Sequence, residues 1–553
     1  MKKNLIKMCA LGLTVAMTAS MLAGCGGSGS NGGSDTPATT AAAAESGAAT
    51  TEAATQGEAV ASDATLTFGC QNYSAGGVNP AEQTNTAWNA MRYGVTQCLF
   101  KFTDEMTVEP WLAESYEVSE DHKTWTIKMK DGLKFSTGAD LNAAAVKASF
   151  DWLKQEGPNG SATPEKYLEY EAEVTADDAA NTVTIVTQTA YPDLTKNLAY
   201  PTMAIVDVAE TKDFANGIIG SGPYKIDTFT ADVGYTLSRN ENYNGTVPYA
   251  KVELYYMGDA SAKAMALQNG QVDLVENITN VSDIQSLQES PDYTVDIANG
   301  VRCGFAYMNQ KGILADETLR KAILMAIDKE TICKSALIGG LYDPGFSVLP
   351  SNLAYGYDTL TDNNAYDPEA AKKLLDDAGY VDSNGDGIRE KDGKNIVLKY
   401  IYYDNRLLKE FAQAQHQYLT QIGIEVEESE QDSDTEWNMM VNGEYDLCAS
   451  NWTTVGTGDP TEYLANWYGK SAANYCGCQI DEFDTLYEEL LTCMDDARRT
   501  EIITQMQQIL ADHAVAIIDG YYKSSMIFSK NVGYAHIHTA DYYWLSEEIT
   551  PAQ

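Results

Sequence analysis

The sequence predicts an α/β protein with more than one lobe. Three observations lead there. The chain has 553 residues, and at about 100–200 residues per domain that length suggests two or three cores. Strand-like and helix-like patterns mix without strict βα alternation, and no repeat of solenoid or propeller period occurs. Aromatic residues make up 10% of the chain, mostly 34 tyrosines, so there is material for large cores.

Regular structure should begin near Thr65-Leu66-Thr67-Phe68. Thr124 to Lys130 alternates, with Trp125, Ile127 and Met129 on one face, which predicts a half-buried strand. Asn142 can cap a helix in which Val146, Phe150 and Leu153 fall at helical spacing. Thr182 to Thr187 and Lys251 to Tyr256 read as strands; residues 262–269 read as a helix ended by Gly270, with a strand over Gln271 to Val275. A second half opens near residue 301. Leu319, Ile323 and Ile327 mark a helical face. Asp367-Pro368 starts a helix that Gly379 stops. Ile396 to Tyr402 is a strand, followed by a helix carrying Leu407, Phe411, Tyr418 and Ile422. Two acidic helices, about 481–493 and 496–511, lead to a last strand near Val515 to Ile518.

The formal net charge of −42 argues against nucleic acid, which needs clustered Lys and Arg, and against adhesion to anionic lipid by charge. It reads as solubility outside a cell. Ten cysteines follow no zinc-ribbon or CxxC spacing. Lys2, Lys3 and Lys7 form a positive start and Leu5 to Leu22 is mainly apolar, the layout of a secretory signal (residues 1–24). Leu22-Ala23-Gly24-Cys25 resembles the lipobox of bacterial lipoproteins, which implies cleavage before Cys25 and lipidation of that cysteine. Residues 25–63 are mainly Gly, Ser, Ala and Thr, too poor in apolar side chains to offset ordering, and are expected to form a tether of roughly 35 Å root-mean-square span. The expected location is therefore the extracytoplasmic face of a cell membrane, held by lipid rather than by a spanning helix.

Catalytic signatures are missing: no HExxH, GxSxG, Walker loop or GxGxxG. His536-x-His538 supplies two ligand types but no complete metal set. "DSNGDGIREKDG", residues 382–393, places Asp382, Asn384 and Asp386 at alternate positions before Gly387, like the start of a calcium loop. Position 12 holds Gly393 instead of Glu, and an Asn/Asp/Gly turn is the alternative. No other cofactor is expected.

"EPWLAESYEVSEDHKTWTIKMKDGLKFSTGADLNAAAVKASFDWL", residues 109–153, carries a family resemblance through Trp111 to Ser115, Trp125 and Gly132 to Ser136. "GSGPYKID" at 220–227, "LSRNENYNG" at 237–245, "ALQNGQVDLV" at 266–275, "LRKAILMAIDKETI" at 319–332 and "YDPEAAKKLLDDAGY" at 366–380 extend it. From about residue 64 to 545 the chain resembles the bacterial extracellular solute-binding proteins of family 5, the peptide and nickel receptors of ABC importers.

The resemblance implies a two-lobed periplasmic-binding-protein-like α/β fold (type II, cluster C) with an extra subdomain in the first lobe. Lobe I would comprise residues 64–300 plus 522–553, with the subdomain at about 100–215, and lobe II residues 301–521. Residues near 301–309 and 515–525 would be hinges. It implies no enzyme but a monomeric receptor that closes on a small ligand and docks on a permease–ATPase complex. "DGIREKDGKNIVLKY" and "GTGDPTEYLANW" are nearest the nickel-type subgroup. That subgroup often holds anionic ligands with arginines in two regions, which here read "KQEGPNGSATPEKY" and "LAYPTMAIVDVAE" and contain none. Di- or oligopeptides are thus the first expected ligand, and nickel or another metal chelate or opine metallophore the second. An extracellular hydrolase and a signalling receptor are the rivals from other classes.

Candidate ligand contacts follow from the implied cleft. Arg302 could pair with a carboxylate or be a structural Arg. Trp452 could stack on ligand or fill the core. Asp459 could hold a ligand ammonium or cap the helix beginning at Pro460. Tyr73, Trp88, Arg92, Tyr307 and Asn309 complete the set, each with packing as its alternative.

Overall fold

In a computed structural model, Thr65–Cys70 is a strand, and it sits near the middle of an 11-stranded sheet. The structure describes residues 60–73, 76–156, 171–192 and 194–553. The leader, Cys25 and the tether up to residue 59 lie outside the described residues. No helix among the described residues is long and apolar enough to cross a membrane.

The local signals act as their chemistry dictates. Trp125, Ile127 and Met129 are all buried along Thr124–Met129. The Asn142 side chain accepts a hydrogen bond from the Ala145 N–H at 3.0 Å, at the start of helix Ala143–Glu156, which buries Val146, Phe150 and Leu153. Asp367 caps Pro368–Asp377 by accepting from the Ala370 N–H at 2.9 Å. Gly270 and Gly379 follow their helices with φ of 67° and 81°, the left-handed conformation that lets a chain leave a helix. The strand expected over Gln271 to Val275 narrows to Leu274–Glu276.

The main sheet runs Glu425–Gln431, Val397–Tyr403, Leu447–Thr453, Tyr293–Met308, Ala516–Ser529, Leu274–Glu276, Thr65–Cys70, Lys251–Tyr256, Gly234–Arg239, Tyr224–Thr230. Tyr342–Asp343 pairs beside Ala516–Ser529. The first three strands are mutually parallel, as are Leu274–Glu276, Thr65–Cys70 and Lys251–Tyr256. Two long antiparallel strands, Tyr293–Met308 and Ala516–Ser529, join these flanks. Tyr293 to Asn299 pairs with Lys523 to Ser529, and Arg302 to Tyr307 pairs with Ala516 to Tyr522. The register shifts between Asn299 and Arg302 and again between Gly304 and Phe305; such bulges bend a strand and re-aim its side chains.

The last strand is far longer than its sequence suggests. The apolar run stops at Ile518, but pairing continues to Ser529 through Asp519, Gly520, Ser524 and Ser525. Those polar residues are buried between two strands, where backbone pairing, not alternation, sets the structure.

A separate four-stranded antiparallel sheet, ordered Ala113–Val118, Thr124–Met129, Thr182–Thr187, Glu171–Asp177, packs with helix Ala143–Glu156 around Phe150, Ile127 and Val183. One flank of the main sheet is backed by Leu66, Phe68, Leu237, Leu254 and Trp544. The other is covered by two clusters, one around Tyr400, Phe411 and Leu447, the other around Phe305, Trp467 and Phe483. The architecture is thus a mixed α/β protein of two lobes joined by paired strands.

Candidate functional site

A cavity of about 430 Å³ opens where the crossing strands meet both flanks, within the range of small-molecule sites. Helix Thr84–Arg92 presents Trp88 and Arg92 one turn apart on the same face. Tyr73 follows the strand Thr65–Cys70. Arg302 comes from the crossing strand and lies in register with Thr453 and Tyr522. Asn451, Trp452 and Thr453 come from the neighbouring strand Leu447–Thr453.

The guanidinium of Arg92 lies 4.5 Å from the Trp544 ring centroid and 5.1 Å from those of Tyr73 and Trp88. Its Nε donates to the Asp541 carbonyl at 2.7 Å and its Nη2 to Asp541 Oδ2 at 3.0 Å. Its Nη1 is buried and has no protein partner. Arg302 is 7% exposed and lies 5.6 Å from the Trp88 ring. Its contacts are long ones, 3.4 and 3.5 Å to Asn451 oxygens, and it makes no ion pair among the described residues. Burial, then the neighbouring Arg406, then Arg92 pull its pKa down to about 10, which leaves it charged at neutral pH.

Arg406 is the residue that sequence reasoning missed. It lies just beyond strand Val397–Tyr403, with φ of 46°, followed by Leu407 at 61°. That turn brings its guanidinium to the cavity wall, 5.9 Å from the Tyr522 ring. It too has no ion pair among the described residues. A non-glycine residue in the left-handed region is uncommon, and nothing in the local sequence announces one.

Of the other candidates, Trp452 lines the cavity and stacks on Trp437, centroids 6.3 Å apart at 29°. Trp437 is 43% exposed, and Trp452 also packs against the core around Phe305 and Trp467, so it stands between core and cavity. Asp459 lines the cavity as well, but its carboxylate is engaged. Oδ2 lies 2.5 Å from Arg499 Nη2, and Oδ1 accepts from the Thr461 N–H at 2.8 Å. Asp459 thus sits one residue before the N-cap, Pro460, of helix Thr461–Leu464 and closes a local turn while pairing with Arg499.

Two candidates lie elsewhere. Tyr307 is fully buried between Phe305 and Trp467, its hydroxyl donating to Asn466 Oδ1 at 3.0 Å. Cys303, Phe305 and Tyr307 alternate toward one core, the opposite face from Arg302. Asn309 donates through its amide to the Gly443 and Tyr445 carbonyls at 3.2 and 2.8 Å, holding a turn.

Asp382, Asn384 and Asp386 lie in an exposed turn and accept from loop N–H groups: Asp382 from Gly387, Asn384 from Asp386, and Asp386 from Ile388. The bonds of Asn384 and Asp386, each two residues on, are the Asx turns expected of such a sequence. No group of three or more His, Cys, Asp or Glu residues suited to a metal occurs among the described residues. His536 sits between Asp296 and Asp104, at 2.9 and 3.1 Å, and His538 is buried against the Thr103 carbonyl.

The cavity is thus rich in donors: two unpaired guanidiniums, Arg92 Nη1, and the buried, unpartnered Trp88 Nε1. Such a wall suits an acceptor-rich, negatively charged group.

Residues 107–475 match the family described as bacterial extracellular solute-binding proteins, family 5. The chain is 27% identical to the nickel-binding periplasmic protein of Escherichia coli K12 over 468 residues, covering 80% of this chain and 87% of that protein. It is 26% identical to the oligopeptide-binding protein AppA of Bacillus subtilis over 480 residues, 81% of this chain and 86% of that one. Among solved structures, NikA from Brucella suis in complex with Fe(III)-EDTA superposes with a TM-score of 0.79, at 24% identity, over 88% of this chain and all of that one. The chain belongs to the bacterial extracellular solute-binding proteins, family 5.

Proposed function

We propose that this chain is the ligand-capturing component of an ABC importer, and that it takes a small carboxylate-bearing ligand, first of all a di- or oligopeptide. The observation that carries this reading is the convergence of Arg302 and Arg406, both without an ion pair among the described residues, on one cavity beside Arg92 Nη1. A buried guanidinium is stabilised when a carboxylate accepts its hydrogen bonds, and a ligand can supply one. Trp88, Trp452 and Tyr73 would exclude water around the ligand. The ligand leaves unchanged: binding energy goes into closing the lobes, and the closed form is what a permease–ATPase complex would recognise. Lipidation of Cys25 would keep this monomeric receptor at the outer face of the membrane.

A carboxylate metal chelate is the second reading, and one observation favours it. Asp459 is already neutralised by Arg499, so a peptide's ammonium finds no free acid at that position. The nickel-binding relative makes the same class plausible on similarity. Titration calorimetry with a mixed di- and tripeptide pool, and separately with nickel–histidine, tests both. Heat from the peptide pool that disappears in Arg302→Met supports the first reading. Binding of the chelate alone replaces it with the second, and binding that ignores Arg302 overturns both.

A further inference from the structure

Beyond Arg406 lies a second cavity of about 320 Å³, and its chemistry is the reverse of the first. Tyr73, Asn405 and Arg406 line both, so the two chambers share a wall. The second is lined by four acids, Asp259, Glu276, Asp404 and Glu410, against two cations, Lys263 and Arg406.

Two of these acids are short of donors. Glu276 is fully buried. Its Oε1 forms a buried ion pair with Lys263 Nζ at 2.9 Å and accepts from the Gln71 N–H at 2.8 Å; unlike Asp459, whose two oxygens are both engaged, it keeps Oε2 without a protein partner. Lys263 cannot supply it, because its other protons go to the Glu276 and Asn277 carbonyls at 2.7 and 3.0 Å. Glu410 Oε2 is likewise buried and unpartnered, and burial followed by the charge of Asp404 raises its carboxyl pKa. Asp259 is spent on its helix, accepting from the Ala262 N–H at 2.7 Å. A buried acceptor without a donor is unfavourable, and an incoming ammonium with three N–H groups would satisfy it.

We propose that this acidic chamber receives the cationic end of the ligand, so that one molecule straddles Arg406 with its carboxylate on the Arg302 side and an ammonium on Glu410, with Glu276 Oε2 as a further acceptor. The inference rests on the carboxylate reading above and narrows it to zwitterionic ligands. The ammonium could be a peptide N-terminus or a lysine side chain; the chemistry is shared.

The test is capture from a mixed tripeptide library by the full chain, with retained peptides counted by mass spectrometry. Three further libraries are N-acetylated, N-acetylated without Lys or Arg, and C-amidated. Wild type should retain the free library at least tenfold better than the acetylated, lysine-free one. Retention of acetylated peptides only when they carry lysine would assign the chamber to side chains. Glu410→Gln should remove the preference for an ammonium while leaving that for a free carboxylate, with unchanged melting confirming the fold. If acetylation and Glu410→Gln have no effect while amidation and Arg302→Met abolish capture, the chamber holds only water and the inference fails alone. If amidation and Arg302→Met have no effect, or no library is retained, the carboxylate reading fails and takes the inference with it.

Discussion

Arg92 and Asp541 form an ion pair of 3.0 Å in which both side chains are almost wholly buried, 1% and 2% exposed. They are 449 positions apart, so the pair ties helix Thr84–Arg92 to the C-terminal segment. Asp541 also accepts from the Trp544 indole N–H, which fixes the ring beneath Arg92. Removing one partner of such a pair leaves a buried charge uncompensated. Asp541→Ala should therefore lose about 3–5 kcal/mol in urea unfolding. A loss below about 1 kcal/mol would show that Arg92 is held by its rings alone.

Asp459 and Arg499 make a different prediction. Because the carboxylate already pairs with Arg499 and receives the Thr461 N–H, its removal should act on the fold. Asp459→Ala should cost about 2–4 kcal/mol of stability. It should weaken ligand binding no more for peptides with a free N-terminus than for acetylated ones. A selective loss of the free peptides, with stability intact, would restore Asp459 as an ammonium site.

Asp519 is buried in the last strand, with Oδ1 accepting from Gln415 and Oδ2 unpartnered. Burial pushes its carboxyl up to about 7, against about 4 in an unfolded chain. A raised acid is the case where the folded state holds the proton more tightly, so this group's contribution is greatest below pH 4 and falls as pH rises toward 7. Asp519→Asn should be nearly neutral at pH 4 and stabilising at pH 8, by an amount on the order of 2–4 kcal/mol. Equal effects at both pH values in thermal melts would contradict it.

His536 acts with the opposite sign. Hydrogen bonds to Asp104 and then Asp296 raise its pKa to about 10. Its contribution is complete below pH 6.5 and lost as pH rises toward 10. The ring is 31% exposed, and solvent screening limits the gain to about 1 kcal/mol. His536→Gln should lower stability at pH 6 and converge with wild type near pH 10; a constant difference would assign the effect to packing.

Much of this was legible in the sequence where the cause is local. Asp367 with Gly379 marked both ends of one helix, and the alternation of Trp125, Ile127 and Met129 marked a strand. Trp88, Arg92, Arg302 and Trp452 reached the cavity because the ordered family blocks fixed where the cleft lies. What escaped is set by distance or backbone geometry. Arg406 enters through a left-handed turn that no residue type there demands. Asp459 is neutralised by a residue 40 positions away, and Ala516–Ser529 continues through polar residues that only its partner strands could justify. Tyr307 was misplaced because strand parity around Arg302 puts it on the other face.

The central claim is that a carboxylate is held by Arg302 and Arg406. Mass spectrometry of the small molecules released when the purified protein is denatured tests it most directly. A carboxylate-bearing compound of tripeptide size or below, intact, should be released from wild type and be absent from Arg302→Met. Release of a neutral sugar or a purely cationic compound, or equal release from both proteins, would contradict it.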